Sequence, residues 1–403
     1  MCNLTAVIQA TLRCLALNRA LDRFQSTSLK VLLGSVAGIF CCCDSQVSEP
    51  EAALYQPPFP LRYETDHFRI YTKNDRPICR GTLEELETHL GYREDLLGAS
   101  ASEKITLVLV GPPLFDGRVS DKCSSGASGC TFGGKNVWSR MSAVSHEIGH
   151  CAEIDLGGEL SDLVYSEGWA EGFSGRPIFG PTMTLSDSAG RGGNPAYSAD
   201  HFVRWLFDSF GVEQFVAVYR ATERRSGYDN FDAAFQDVYG VSFEAAQARY
   251  RSESALVYPG EGRCNGELVE RAGAAWDIAV ELDCAEPGTE GPHPGIDLAS
   301  RAYMFTTRVM AVEAAGEYEV LPGPGTAFRV ERCVDAPVFD LEEAAHVRDL
   351  VNYENKDPLK DIEGARLQLR PGRYRVEIGA EIGEPTSARL LIQPRLGESE
   401  VIP

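Results

Sequence analysis

Apolar and polar positions change their spacing along the chain, and each change marks an expected element. Residues 31–40, V-L-L-G-S-V-A-G-I-F, form an unbroken apolar run preceded by Lys30. A membrane-spanning helix needs about 20 apolar residues, so this run is too short to cross a bilayer. It has the length of the apolar core of a signal peptide. From 61 onward the spacing becomes mixed. His67-Phe68-Arg69-Ile70-Tyr71 alternates in the manner of a strand. Residues 81–97 read as a helix, with Thr82 as N-cap and Glu85 completing a capping box. Leu83, Leu86, Leu90 and Leu97 share one face of it. The β-branched run at 105–110 reads as a buried strand, and 136–138 as a brief edge strand after a glycine- and serine-rich loop.

A helical spacing follows. Ser198 is expected to cap a helix whose Phe202, Val203, Leu206, Phe207 and Phe210 form an apolar stripe. Further helices are expected over 212–222, 229–239 and 243–251. Beyond Pro259 the pattern shortens to alternating segments at 302–312, 316–321, 327–334, 365–369, 374–378 and 388–393, divided by turn residues. The expected class is therefore α+β. A domain at 61–258 holds a small mixed sheet and a helical half, and a C-terminal β-sandwich follows at 262–397. Upstream lie a signal-like segment at 1–43 and a polar linker at 44–60.

Charge narrows the choice of partners. The chain carries a net −21; its first forty residues are +3, which leaves −24 for the rest. So acidic a body repels phosphate backbones, which argues against nucleic acid, and it resists docking on an anionic membrane by charge alone. The 12 cysteines contain no CxxC pair, so a cysteine zinc ribbon or thioredoxin-like motif is not supported. Scattered cysteines in an exported chain point to disulfides, and Cys123–Cys130 is the expected pair around a short loop. Cys79, Cys123, Cys130, Cys151, Cys264, Cys284 and Cys333 make an odd set of seven, so one of them is expected to lie outside a pairing.

The candidate chemistry lies at 143–172. His146-Glu147-Ile148-Gly149-His150 places two histidines four apart on one helical face, about 5–6 Å between Cβ atoms. Both imidazoles can then reach one ion at about 2.0–2.1 Å. Glu147 points about 100° away around the helix, beside the metal rather than onto it, where a general base for an activated water belongs. With 7 histidines in the chain the motif arises by chance roughly once in a hundred such sequences. A surface helix with two unrelated histidines is the plain alternative.

The third ligand separates families. A metzincin requires Gly at 153 and His at 156, which are Glu153 and Leu156 here. Ser166-Glu167-Gly168-Trp169-Ala170-Glu171 instead resembles the E-G-x-A segment of gluzincin peptidases, whose glutamate ligand sits on a second helix about eighteen residues after the histidine motif. Here sixteen residues intervene, which implies a tighter loop through Leu156-Gly157-Gly158. The resemblance implies that His146, His150 and Glu167 bind Zn2+ and that Glu147 activates the water. Glu171, four residues on from Glu167, would hold the free ring nitrogen of a zinc histidine; an exchange of roles between Glu167 and Glu171 stays open, as does a solvated Glu171. His201 or Tyr197 is the expected donor to the oxyanion. The helices from Tyr197 to Arg251 also resemble the helical half of peptidase MA-like proteins, so the likeness spans roughly 61–255. The C-terminal sandwich resembles accessory β-domains of secreted peptidases.

These implications converge on an exported zinc peptidase acting on a peptide or protein, periplasmic or at the cell surface. Lys30, the apolar run and Cys41, Cys42 and Cys43 resemble a bacterial lipoprotein signal, although Phe40 is larger than the small residue expected before the lipidated cysteine. A lipid anchor would be the chain's link to a membrane. Two other readings remain: a non-catalytic exported protein that binds through its sandwich, and a zinc hydrolase of a non-peptide amide or ester.

Overall fold

In a computed structural model of the chain, the described residues are 55–72, 77–100, 103–110, 123, 127–154, 163–180, 196–221, 228–260, 264–292, 303–351 and 365–395. The signal-like segment, the three consecutive cysteines and the loop at 156–158 lie outside them. All described residues fall within the unit Cys41–Pro403.

The N-terminal strands are β1 (Leu61–Glu64), β2 (Phe68–Thr72), β3 (Ile105–Leu109), β4 (Gly129–Phe132) and β5 (Asn136–Ser139). They form a mixed sheet in the order β1-β2-β3-β5-β4. The pairs β2–β3 and β3–β5 are parallel, while β1–β2 and β4–β5 are antiparallel. The expected edge strand is thus displaced by one. Residues 136–139 pair on both sides, and the edge is β4, within the stretch read as a glycine- and serine-rich loop. Four residues with two glycines nearby give too little alternation to register as a strand. Both faces of β3 are covered: Ile105, Leu107 and Leu109 join the main core, while Val108 and Val110 pack with Cys123, Cys130 and Trp138.

Helix α1 (Arg80–Leu97) buries Leu86, Leu90 and Leu97 as expected. Its cap differs. Cys79 is the N-cap and offers no side-chain hydrogen bond. Thr82 lies inside the helix, where its hydroxyl donates to Gly291 O at 3.1 Å and accepts from Gly291 N at 2.7 Å. A segment remote in sequence replaces the local capping box. The helices α2 (Val144–Ile154), α3 (Leu163–Gly172), α4 (Ala196–Phe210), α5 (Val212–Ala221), α6 (Tyr228–Tyr239) and α7 (Phe243–Glu253) follow. Since α4 begins at Ala196, Ser198 lies within its first turn and is not its cap. Phe202, Val203 and Leu206 are fully buried in the same core as the β3 side chains. A short pair, β6 (Ile178–Phe179) with β7 (Val257–Tyr258), closes this part.

The C-terminal strands are β8 (Glu267–Leu268), β9 (Trp276–Leu282), β10 (Tyr303–Val312), β11 (Gly316–Pro322), β12 (Ala327–Arg332), β13 (Ala365–Leu369), β14 (Gly372–Glu381) and β15 (Thr386–Pro394), with helix α8 (Leu341–Val351) between β12 and β13. They make two four-stranded sheets, β12-β14-β10-β8 and β13-β11-β15-β9. Residues of both sheets, among them Ile278, Val320, Val330 and Val376, share one apolar core, as in a sandwich. The expected strands are all present. Strands β8 and β9 and helix α8 lie outside the expected segments, although β9 alternates buried and exposed positions without a break.

Candidate metal centre

The centre is built on α2 and α3. His146 and His150 project from one face of α2, their rings 4.9 Å apart and nearly perpendicular. Their Nε2 atoms face each other at 3.2 Å. Glu167 on α3 brings Oε2 to 3.3 Å from His146 Nε2 and Oε1 to 3.7 Å from His150 Nε2. One ligand atom from each of these three residues falls within 4.8 Å of the others, so the group could hold a metal ion. The sixteen-residue interval before Glu167 therefore suffices.

Two helices approach this closely because Gly149, between the two histidines, has no side chain. A Cβ on Gly149 would strike the Arg93 guanidinium and come within 2.9 Å of the Ala170 Cα. Arg93, fully buried on α1, uses that space to donate to Ser145 O on α2 at 3.0 Å and to Ala170 O on α3 at 2.8 Å. Trp169 Nε1 adds a bond to Gly149 O at 3.0 Å. One buried cation thus ties together the helices that carry the histidines and Glu167.

The outward nitrogens are also held. His146 Nδ1 lies 3.0 Å from Glu171 Oε2. This is the supporting position expected for Glu171, and Glu167 is the carboxylate that faces both Nε2 atoms. His150 Nδ1 lies 3.1 Å from Ser166 Oγ and 3.4 Å from Glu153 Oε2. The general-base candidate Glu147 is 5 % exposed, and its Oε2 accepts from Thr131 Oγ1 on β4 at 3.0 Å. Gly129 on the same strand leaves room for it, since a Cβ there would sit 2.6 Å from Glu147 Oε1.

Four carboxylates around two imidazoles shape the electrostatics of the site. Burial alone would lower the His146 pKa, yet Glu167 and Glu171 raise it well above the ordinary histidine value. Burial likewise opposes the charged form of His150, and Glu153 and Glu167 outweigh it. Glu147 is raised chiefly by burial, against the attraction of His146 and His150. The donor set fits a divalent cation: two imidazoles and a carboxylate converge, the opposite ring nitrogens are engaged, and Glu153 Oε1 is buried without a hydrogen-bond partner.

His201 departs from expectation. Its ring is 1 % exposed, bonds Tyr250 OH through Nδ1 at 2.8 Å and packs on Tyr258. Burial lowers its pKa to about 4. A ring so enclosed has no face for a substrate, so the oxyanion role does not fall to it. The side chain of Tyr197 lies outside the described residues. Beside it in sequence, Asp200 is pushed up to about 7 by burial, with the Glu171 charge adding to the effect.

Sequence reading passed over Glu153, Ser166, Thr131 and Arg93. Glu153 had a local signal, its spacing of three from His150, but was read solely as the residue displacing a metzincin glycine. Thr131 and Arg93 had none, because their partners on α2 and α3 are remote in sequence.

No family model matches the chain, and no curated protein matches it. Among solved structures, periplasmic inhibitors of g-type lysozyme are similar to part of it. Aeromonas hydrophila PliG is 12% identical, covering 32% of this chain and 96% of that one, with a TM-score of 0.20. Salmonella Typhimurium PliG is 9% identical, covering 32% and 100%, at 0.18. A mutant of Escherichia coli PliG is 12% identical, covering 32% and 99%, also at 0.18. Likeness at such TM-scores carries no argument about this chain.

Proposed function

We propose that this chain is an exported zinc-dependent peptidase. The convergence of His146, His150 and Glu167, with Glu147 alongside, is the observation that carries the reading. Two imidazoles and one carboxylate leave a fourth position open, as in hydrolytic zinc sites. When bound, zinc acts as a Lewis acid and lowers the pKa of a coordinated water to about 7. Glu147, held by Thr131 and raised by burial, is placed to act as the general base, and with the metal bound it would accept a proton from the attacking water and return it to the leaving amine. The buried surroundings of Glu147 keep the transferred proton from bulk water.

A peptide substrate is favoured by the edge of the sheet. Strand β4 is one of the sheet's two terminal strands and carries Thr131, which touches Glu147. An extended chain adding to that edge through main-chain hydrogen bonds would run past the general base. The disulfides Cys79–Cys284, Cys123–Cys130 and Cys264–Cys333 suit an oxidising compartment, in keeping with export. Cys151, the odd cysteine of the seven, is buried outside these pairs. Among the described residues, no helix is long and apolar enough to cross a membrane.

The test is metal content and casein cleavage by the purified full chain. About one zinc per chain is expected, with Glu147→Gln abolishing cleavage while zinc stays bound. Glu167→Ala should cost more zinc affinity than Glu171→Ala. A chain that holds no zinc, or full activity in Glu147→Gln, overturns the reading; equal affinity losses overturn the assignment of Glu167.

A further inference from the structure

The carboxylate of Glu153 is fully buried at the C-terminal end of α2, and among the described residues His150 is the basic side chain that forms an ion pair with it. Its Oε2 accepts from Ser166 Oγ at 2.8 Å and from Tyr219 OH at 3.5 Å. The Ser166 hydroxyl has a single proton, and that proton is directed at Glu153. Its oxygen, 3.1 Å from His150 Nδ1, is therefore left to accept. Nδ1 then carries the ring hydrogen, and the Nε2 lone pair faces Glu167 and His146. Each ring on α2 thus has its own carboxylate: Glu171 meets His146 directly, and Glu153 meets His150 both directly, at 3.4 Å, and through Ser166.

We infer that Glu153, acting both directly and through Ser166, is the positioning residue that fixes the tautomer and orientation of His150 for metal binding. The inference rests on reading His146, His150 and Glu167 as a zinc site. It also gives a use to a carboxylate whose burial without a full counter-charge costs several kcal/mol. Ser166, Glu167 and Glu171 then form one functional run on α3, supplying a relay to one histidine, a ligand, and the partner of the other histidine.

The test measures zinc affinity of the full chain by chelator competition, together with solvent exchange of the two imidazole N–H protons in the zinc-loaded protein by NMR. Glu153→Gln keeps the volume of the buried side chain. Ser166→Ala alters a different helix, so one variant remains should the other fail to fold. Each is expected to weaken zinc binding about 10- to 100-fold. The double variant should be little worse than Glu153→Gln alone, because Ser166 acts through that carboxylate. Exchange at His150 Nδ1 should quicken in both, while His146 Nδ1, held by Glu171, stays protected. Affinities within twofold of the unaltered chain, or equal quickening at both rings, overturn the inference while leaving the zinc site in place. An unaltered chain that binds no zinc overturns both.

Discussion

At the scale of single residues, one side-chain type meets two environments. His146 and His150 sit among carboxylates that raise them, whereas His201 sits among tyrosines and is lowered to about 4 by burial. A lowered histidine destabilises the fold in acid. The unfolded chain takes up a proton near pH 6.5 that the folded ring refuses until about pH 4. Its contribution is therefore intact above 6.5, falls between 6.5 and 4, and levels off below. At about 1.4 kcal/mol for each pH unit, the loss amounts to roughly 3 kcal/mol. Urea unfolding of the unaltered chain and of His201→Asn at several pH values should show their stability difference shrinking by about that amount. A flat difference, or an NMR midpoint for this ring near its ordinary value, would refute the enclosed site.

At the scale of elements, the spacing of α1, α2 and α3 depends on what Gly149 lacks. Gly149→Ala places a methyl group on the Arg93 guanidinium and against α3. The expected loss is at the upper end of about 1–3 kcal/mol, and under the proposed function zinc binding weakens with it because Glu167 moves with α3. Gly91 on α1 is the control, since a Cβ there meets nothing within 4 Å. Gly91→Ala should raise stability by about 0.5–1 kcal/mol through helix propensity. Thermal unfolding separates the two by sign. The existence of these helices was legible in the spacing of Leu86, Leu90 and Leu97 and of the two histidines. Their ends were less so: Thr82 and Ser198 look like caps, yet Thr82 bonds the chain at Gly291 and Ser198 falls inside α4.

At the scale of the whole molecule, the N-terminus of α1 is completed by the segment 284–291. Arg80 N donates to Cys284 O at 2.9 Å and Gly81 N to Thr289 O at 2.9 Å, while Cys79 is joined to Cys284. The same helix carries Arg93, so the sandwich side of the chain anchors the helix that holds the metal centre together. Cys79–Cys284 closes a separation of 205 residues and Cys123–Cys130 one of 7. In the chain-entropy account the longer closure stabilises by roughly 3 kcal/mol more. Replacing Cys79 and Cys284 by Ala should therefore lower the denaturant midpoint well beyond the effect of replacing Cys123 and Cys130. The reverse order would show that the anchor is dispensable.

The sequence by itself determined what depends on near neighbours. His146 and His150 share a face because a helix repeats every 3.6 residues, the sandwich strands alternate, and the acidic charge is a count. Glu167 was legible as a candidate ligand because its own segment has a recognisable form. Tertiary structure decided what depends on distant partners. It made β4 rather than β5 the edge, enclosed His201 among tyrosines, placed Arg93 between α2 and α3, and brought Ser166 and Glu153 to the far side of His150. A buried polar group must find a partner wherever the fold puts one, and the spacing of residues along the chain does not encode that meeting.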